Sequence, residues 1–316
     1  MIHLEQLLPL TQNQLFKALR QKYHEQSLAC KGNFILVRGK APLLLLAHLD
    51  TVHHEPVRQI CKSHDGNILM SPQGIGGDDR CGVYALIKIH QLAKTKPWLL
   101  FTCNEETGGI GADAFCLAHQ ENELPAALDN LKCLIEIDRK GNNDAVYYDC
   151  DNKDFEAYIT SKGFKTAIGS FTVISLIAPE LGVAAVNLSS GYYNPHTLHE
   201  FINRAELEAV ISKVVEIVTD SSSPDFPQYN YLERPRQKTF YRVSTWRLTP
   251  LDNDSVAHFA RFNDEATSPP PLPSKYQQIY DELLEVYTTA ELEELRLSCG
   301  DQILLELYID DFYNEK

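Results

Sequence analysis

"WLLFTCNEETGG", residues 98–109, runs from an apolar segment straight into two adjacent carboxylates, Glu105 and Glu106, and then a glycine pair. The apolar part reads as a buried strand, and the acids stand at its exit. Like charges repel and resist desolvation, so two acids in such a place imply a cation to meet them. The same pattern, a buried strand followed by a polar exit and an amphipathic helix, recurs on both sides of this stretch.

Upstream, "FILVRG" (34–39) and "PLLLLAHLD" (42–50) read as strands, the second apolar on both faces and therefore central in a sheet. "VRQICKS", "HDG" and "NILMS" form a hairpin pattern. From Arg80 to Lys94 apolar residues recur at helical spacing up to Pro97. Downstream come a helix over Gly108 to His119, the strand "CLIEID" (133–138), and a helix in "NKDFEAYITSKG" stopped by Gly163. The strand "GVAAVNLS" (182–189) and a strongly periodic helix over 203–220 follow. Alternation of this kind predicts an α/β fold with a mostly parallel central sheet and helices on both faces, in three layers.

The chain has 316 residues, enough for one large α/β domain with an appendage. With 44% hydrophobic and 23% charged residues it has a globular composition. No apolar run reaches the roughly 18 residues that span a bilayer. The N-terminus reads as an amphipathic helix and not as an export signal. Eight cysteines without a CxxC pair fit buried thiols in a reducing compartment, so the expectation is a cytoplasmic protein. A net charge of −14 argues against nucleic-acid or anionic-membrane partners and suits metal cations or ammonium-bearing substrates.

The character changes after the helix over 203–220. Residues 221–273 are rich in Pro, Ser and polar residues and read as a connecting segment; 274–316 read as an acidic helical C-terminal extension. That extension offers a surface for packing or for docking a protein partner. "PPPLP" reads as a stiff polyproline linker.

Candidate metal ligands fall at the expected strand ends or after the hairpin. "AHLDTV" gives His48 and Asp50, "GIGGDDRCG" gives Asp78 and Asp79, "NEETGG" gives Glu105 and Glu106, "IEIDRKG" gives Asp138, and "GYYNPHTLHE" gives His196. Ligands of open α/β sheets gather at the carboxyl ends of strands. Alone, each candidate has an ordinary reading as a core histidine, a helix cap or a solvated acidic pair. Their conjunction points to a metal centre, because histidine nitrogen with carboxylate oxygen is a donor set zinc accepts, and one shared carboxylate allows two ions. His53, His54 and His199 read as rim histidines, Tyr192 and Tyr193 as packing groups or oxyanion donors, and Arg80 and Arg139 as partners for the site's acids.

In order and wording these motifs resemble the co-catalytic dinuclear zinc exopeptidase clan, which includes peptidase T, carboxypeptidase G, aminoacylase and single-domain aminopeptidases. "AHLDTV" is similar to its H-x-D motif, "GGDDRCG" to its DDK or DDR turn, "NEETGG" to its acidic pair and "HTLHEFI" to its H-x-x-x-E ending. The resemblance covers roughly residues 30 to 220 and implies a catalytic domain over 1–220. It implies two divalent ions, zinc by preference: His48 and Asp138 on the first, Glu106 and His196 on the second, and Asp78 bridging both. Asp50 would orient His48, and Glu105 would act as general base.

Only 57 residues separate Asp138 from His196, too few for the lid that peptidase T and carboxypeptidase G relatives insert there, so the chain reads as a lidless member. "SFTVIS" (170–175) departs from the relatives, which carry an Asp near Val173, and this alters the expected pocket rim. The leading expectation is an aminopeptidase hydrolysing short peptides. An amidohydrolase or deacylase acting on a small acylated substrate, and an inactive binding module of the same fold, stand beside it.

Overall fold

The computed structural model describes residues 3–30, 33–53, 55–169, 172–234 and 277–283, with Leu292 and Leu304. The chain divides into two units, Met1–Gln237 and Lys238–Lys316. In the first, the strands in chain order are β1 (Ser27–Cys30), β2 (Phe34–Val37), β3 (Leu43–His48), β4 (Cys61–Lys62), β5 (Ile68–Met70), β6 (Trp98–Thr102), β7 (Cys133–Arg139), β8 (Asp144–Val146), β9 (Lys165–Thr166), β10 (Ala185–Ser189), β11 (Tyr192–Tyr193) and β12 (Phe201–Asn203). The helices are α1 (Leu4–Leu7), α2 (Gln12–Lys22), α3 (Gly77–Leu92), α4 (Ile110–Gln120), α5 (Lys153–Ser161), α6 (Val173–Leu181) and α7 (Arg204–Ser221). In the second unit α8 (Gln277–Leu283) is described, with Tyr280, Leu283, Leu292 and Leu304 buried. Of the expected linker, 221–273, the part from 235 on, "PPPLP" included, and most of the acidic extension lie outside the described residues.

Eight strands form one sheet in the order β1-β2-β6-β3-β7-β10-β8-β9, and its centre, β6 to β10, is parallel. This is the mixed, mostly parallel sheet that the alternation of strands and helices predicts. β3 lies in the middle because its Leu run can be buried on both faces. Leu43, Leu45 and Ala47 enter one layer with Leu15 of α2, Val83 and Ile87 of α3 and Val210 and Val214 of α7. Leu44 and Leu46 enter the other with Phe115 of α4 and Ile174 and Ile177 of α6. Each fully buried leucine contributes about 1.5–3 kcal/mol to stability, which fixes the strand's register.

Register then positions the chemistry. His48 is paired with Thr102 across β3 and β6, and Leu46 with Glu136 across β3 and β7. Two residues beyond that last pair, His48 and Asp138 emerge level at neighbouring strand ends. The expected hairpin forms as β4 and β5, but it joins β11 and β12 in a second, antiparallel sheet ordered β11-β12-β5-β4. That sheet holds the two ends of the segment carrying His196.

Two features lay beyond the sequence pattern. "TVISLIAPEL" is helical as α6, capped by Thr172 and tolerating Pro179 in its last turn. Phe226 and Tyr229 pack with Phe155 and Tyr158, and Tyr229 exchanges backbone hydrogen bonds with Lys132 and Ala184, so the packed unit continues beyond residue 220. No helix among the described residues is long and apolar enough to cross a membrane.

α3 approaches β7 through Gly82, whose missing β-carbon leaves space that the Ile137 carbonyl and the Asp79 carboxylate occupy. Gly82→Ala is expected to destabilise the fold by roughly 1–3 kcal/mol, read as a lowered urea midpoint. An unchanged midpoint would show that α3 can move off β7 freely.

Candidate metal centre

The exits of β3, β6 and β7, the start of α3 and the loop after β11 deliver all seven sequence-predicted site residues to one cleft. Asp78 is its hinge. It lies on the non-helical first turn of α3, with φ −80° and ψ 103°, so its side chain is not carried along the helix face. Its Oδ1 is 3.1 Å from His48 Nε2, and its Oδ2 is 3.2 Å from His196 Nε2. One carboxylate therefore faces both imidazoles, one oxygen to each.

Around His48 the second partner is Asp138, Oδ1 at 3.6 Å; around His196 it is Glu106, Oε1 at 3.3 Å. Ligand atoms in each of the sets His48, Asp78, Asp138 and Asp78, Glu106, His196 lie within 4.8 Å of one another. A third grouping joins His48 to Glu105 and Glu106, with Glu105 Oε2 4.0 Å from His48 Nε2. Donors about 2.0–2.2 Å from a tetrahedral ion stand roughly 3.3–3.6 Å apart, so the separations already suit a divalent metal. The buried Glu106 Oε1 faces the His196 ring nitrogen alone, a donor arrangement that a cation between them would complete.

Asp50 ties the two halves together. It accepts from His48 Nδ1 at 3.1 Å, and also from the backbone N–H groups of Glu105 and Glu106, each at 3.0 Å. One carboxylate thus orients the imidazole and fixes the backbone of the acidic pair. Asn104, before the pair, has φ +57°, and its amide is bracketed by Gln12 of α2: Gln12 Nε2 donates to Asn104 Oδ1 and Asn104 N–H donates to Gln12 Oε1, both at 2.9 Å. Asn187 of β10 does the same for Asp138, receiving its N–H at 2.9 Å and donating to its carbonyl at 3.2 Å.

Glu200 holds the turn before Asp78. Fully buried, it accepts from the N–H groups of Gly76 and Asp78 at 2.9 Å and pairs with His53 Nε2 at 2.9 Å. His53 is half-buried and paired with Glu200, so it has a structural partner that the rim reading did not anticipate; His199 is exposed, and His54 lies outside the described residues. Arg80 also departs from expectation. Its guanidinium hydrogen-bonds the carbonyls of Leu49, Asp50 and Leu10, and burial lowers its pKa to about 10 against the favourable charges of Asp79, Asp50 and Glu200. Arg139 meets Asp144 and the Ile168 carbonyl. Tyr192 directs its hydroxyl to Asp138, with 3.2 Å to the carbonyl and 3.4 Å to Oδ1, while Tyr193 bonds Glu206.

The electrostatics follow from acids crowded in a buried space. Burial, reinforced by the charge on Asp78, drives the Asp138 carboxyl well above its usual range. Burial and Asp138 do the same to Asp79, whose carboxylate accepts from Gly82 N–H and stands outside the ligand sets. Burial also opposes ionisation of Asp78, but hydrogen bonds from both histidines overcome it and lower its pKa. His48 is raised despite burial because Asp138, Asp50 and Asp78 surround it, and His196 is lifted to about 10 by Asp78 and Glu106. Beneath the cleft Glu136, missed from the sequence although it interrupts an apolar strand, is pushed to about 8 by burial and by Glu105.

No protein-family model matches the chain, and no curated protein sequence matches it. Solved structures do. A tripeptidase from Staphylococcus aureus subsp. aureus Mu50 superposes with a TM-score of 0.53 at 15% identity over 69% of this chain and 96% of that one. Aminopeptidase PepT from Bacillus cereus gives 0.53 at 13% identity, over 70% and 97%. A TET aminopeptidase from a marine sediment Thaumarchaeota archaeon gives 0.50 at 11% identity, over 65% and 90%. The chain shares its fold with these peptidases.

Zinc added to metal-free protein is expected to raise Tm in a concentration-dependent way. Asp78→Asn should remove most of the rise, since it weakens both ligand sets. An equal rise in that variant would exclude Asp78 as the shared ligand.

Proposed function

We propose that the protein is a peptidase dependent on two divalent ions, preferentially zinc, and that it acts as a cytoplasmic aminopeptidase on short peptides. One observation carries the reading: the Asp78 carboxylate faces His48 with one oxygen and His196 with the other, while Glu105 stands beside them with its carboxylate 4.0 Å from His48. The structural neighbours, a tripeptidase and aminopeptidases, agree with it.

On this reading His48, Asp78 and Asp138 would hold one ion, and Asp78, Glu106 and His196 the other. The bound ions supply Lewis acidity toward the scissile carbonyl and toward the attacking water. Glu105 takes the proton that water loses as its oxygen joins the carbonyl carbon, and returns it to the nitrogen as the carbon–nitrogen bond breaks. The backbone bonds from Glu105 and Glu106 to Asp50 keep base and ligand divided between two adjacent residues. Gln12 fixes Asn104, the residue before the base, by two hydrogen bonds. The free cysteines among the described residues, Cys61, Cys81, Cys103, Cys116, Cys133 and Cys150, agree with a reducing compartment. The net charge of −14 leaves nucleic acid outside the partners proposed, and the acidic C-terminal segment is proposed as a docking element for a protein.

Glu105→Gln is expected to keep both ions by elemental analysis while turnover of aminoacyl anilides or dipeptides falls about 10²–10⁴-fold. Unchanged turnover would remove Glu105 from the base role, and loss of metal would make it a ligand.

A further inference from the structure

α2 and α3 begin at the metal centre, with Gln12 and Asp78, and their far ends meet around a second cavity of about 220 Å³. Its wall includes Lys22, Tyr23, Glu25 and His90. His90 lies roughly 18 Å along α3 from Asp78, so this space is separate from the metal cleft.

Two of the lining side chains carry unmet polar atoms. Tyr23 Oη and His90 Nε2 are both buried, and neither has a hydrogen-bond partner in the protein; the residues are only 5% and 9% exposed. Their rings meet edge to face at 5.3 Å, and Tyr23 stacks on Phe101 of β6 at 6.5 Å, which holds the pair in place. Burial raises the Tyr23 pKa, so the phenol keeps its proton and is a donor. Burial, reinforced by Lys96 and Lys22, lowers His90 to about 4, which leaves the ring uncharged at neutral pH; its Nε2 accepts when the proton sits on Nδ1. A buried donor and a buried acceptor left unpaired side by side cost stability until something satisfies both.

The charges around the cavity come in both signs. Lys22 is exposed, stands 5.4 Å from the centre of the Tyr23 ring and makes no ion pair among the described residues. Glu25 is the one carboxylate among the described lining residues, and the His24 ring is 3.7 Å from it. We propose that this cavity binds a small zwitterion of the α-amino-acid type, its carboxylate accepting from Tyr23 and Lys22 and its ammonium donating to His90 Nε2 and facing Glu25. The size agrees, since a space below the roughly 300–1,000 Å³ of typical small-molecule sites suits a single amino acid. None of these residues is a metal ligand, so the proposal stands apart from the peptidase reading.

Calorimetric titration of the full-length, zinc-loaded protein tests this with L-alanine, with propionate, which lacks the ammonium, and with L-alaninamide, which lacks the carboxylate. L-Alanine is expected to bind about 10-fold tighter, or more, than either. Tyr23→Phe should weaken L-alanine binding about 10- to 100-fold, and Lys22→Met, a change at an exposed position that leaves the core intact, should weaken it in the same direction. Without ligand, Tyr23→Phe should keep the wild-type urea midpoint, because the hydroxyl it removes bonds nothing in the protein. A lowered midpoint would show that an enclosed water already satisfies that hydroxyl, and would overturn the assignment. Equal binding of the three compounds, or no binding, would do the same. Alanine held only by the metal ions would bind both variants as it binds wild type, and that result would also overturn it.

Discussion

Acids gathered where water is scarce repel one another, and the architecture of this site is an answer to that repulsion. Two unit charges 4 Å apart interact by about 4 kcal/mol at an effective dielectric of 20, and Asp78, Asp79, Asp138, Glu105 and Glu106 share one cleft. Such a cluster persists only if its groups are held by hydrogen bonds, neutralised by protons or met by cations. The structure uses the first two visibly: hydrogen bonds keep Asp78 ionised, while burial and Asp78's charge favour the protonated form of Asp138. The donor set, with Glu106 and His196 facing one another and Asp78, is suited to the third.

Holding the cluster is a long-range task, and the fold divides it among a few polar side chains that each make two or more hydrogen bonds. Asp50 joins the β3 exit to the β6 exit. Gln12 reaches from α2 to the Asn104 turn, Asn187 clamps Asp138 across β10 and β7, and Glu200 ties the second sheet to the start of α3. These groups are buried or half-buried and their bonds are complete, so each contributes rigidity where an unsatisfied group would cost about 1–3 kcal/mol.

What could be read in the sequence and what could not divides along the same line. His48, Asp78, Glu106, Asp138 and His196 were legible because each follows a local signature, a buried strand or a glycine-flanked turn, and parallel sheets bring strand ends together. β3, β6, β7, β10 and α7 were legible from their burial patterns for the same reason. The pairing of the supporting residues carries no such signature, even where Asn104 and Glu200 fall inside quoted motifs: Gln12 and Asn104 are 92 positions apart, and Glu200 and Asp78 are 122 apart. Arg80 looked like a partner for acids, but three backbone carbonyls surround it, and no pattern of residue types announces a carbonyl. α6 escaped notice because it is short and contains Pro179, and its place is set by packing against α4 and the sheet.

The central claim is that Asp78 is shared between two metal positions, and anomalous diffraction at the zinc edge from zinc-soaked crystals tests it most directly. The account predicts two peaks, one enclosed by His48, Asp78 and Asp138 and the other by Asp78, Glu106 and His196. A single peak away from Asp78, or no peak at full zinc loading, would contradict it.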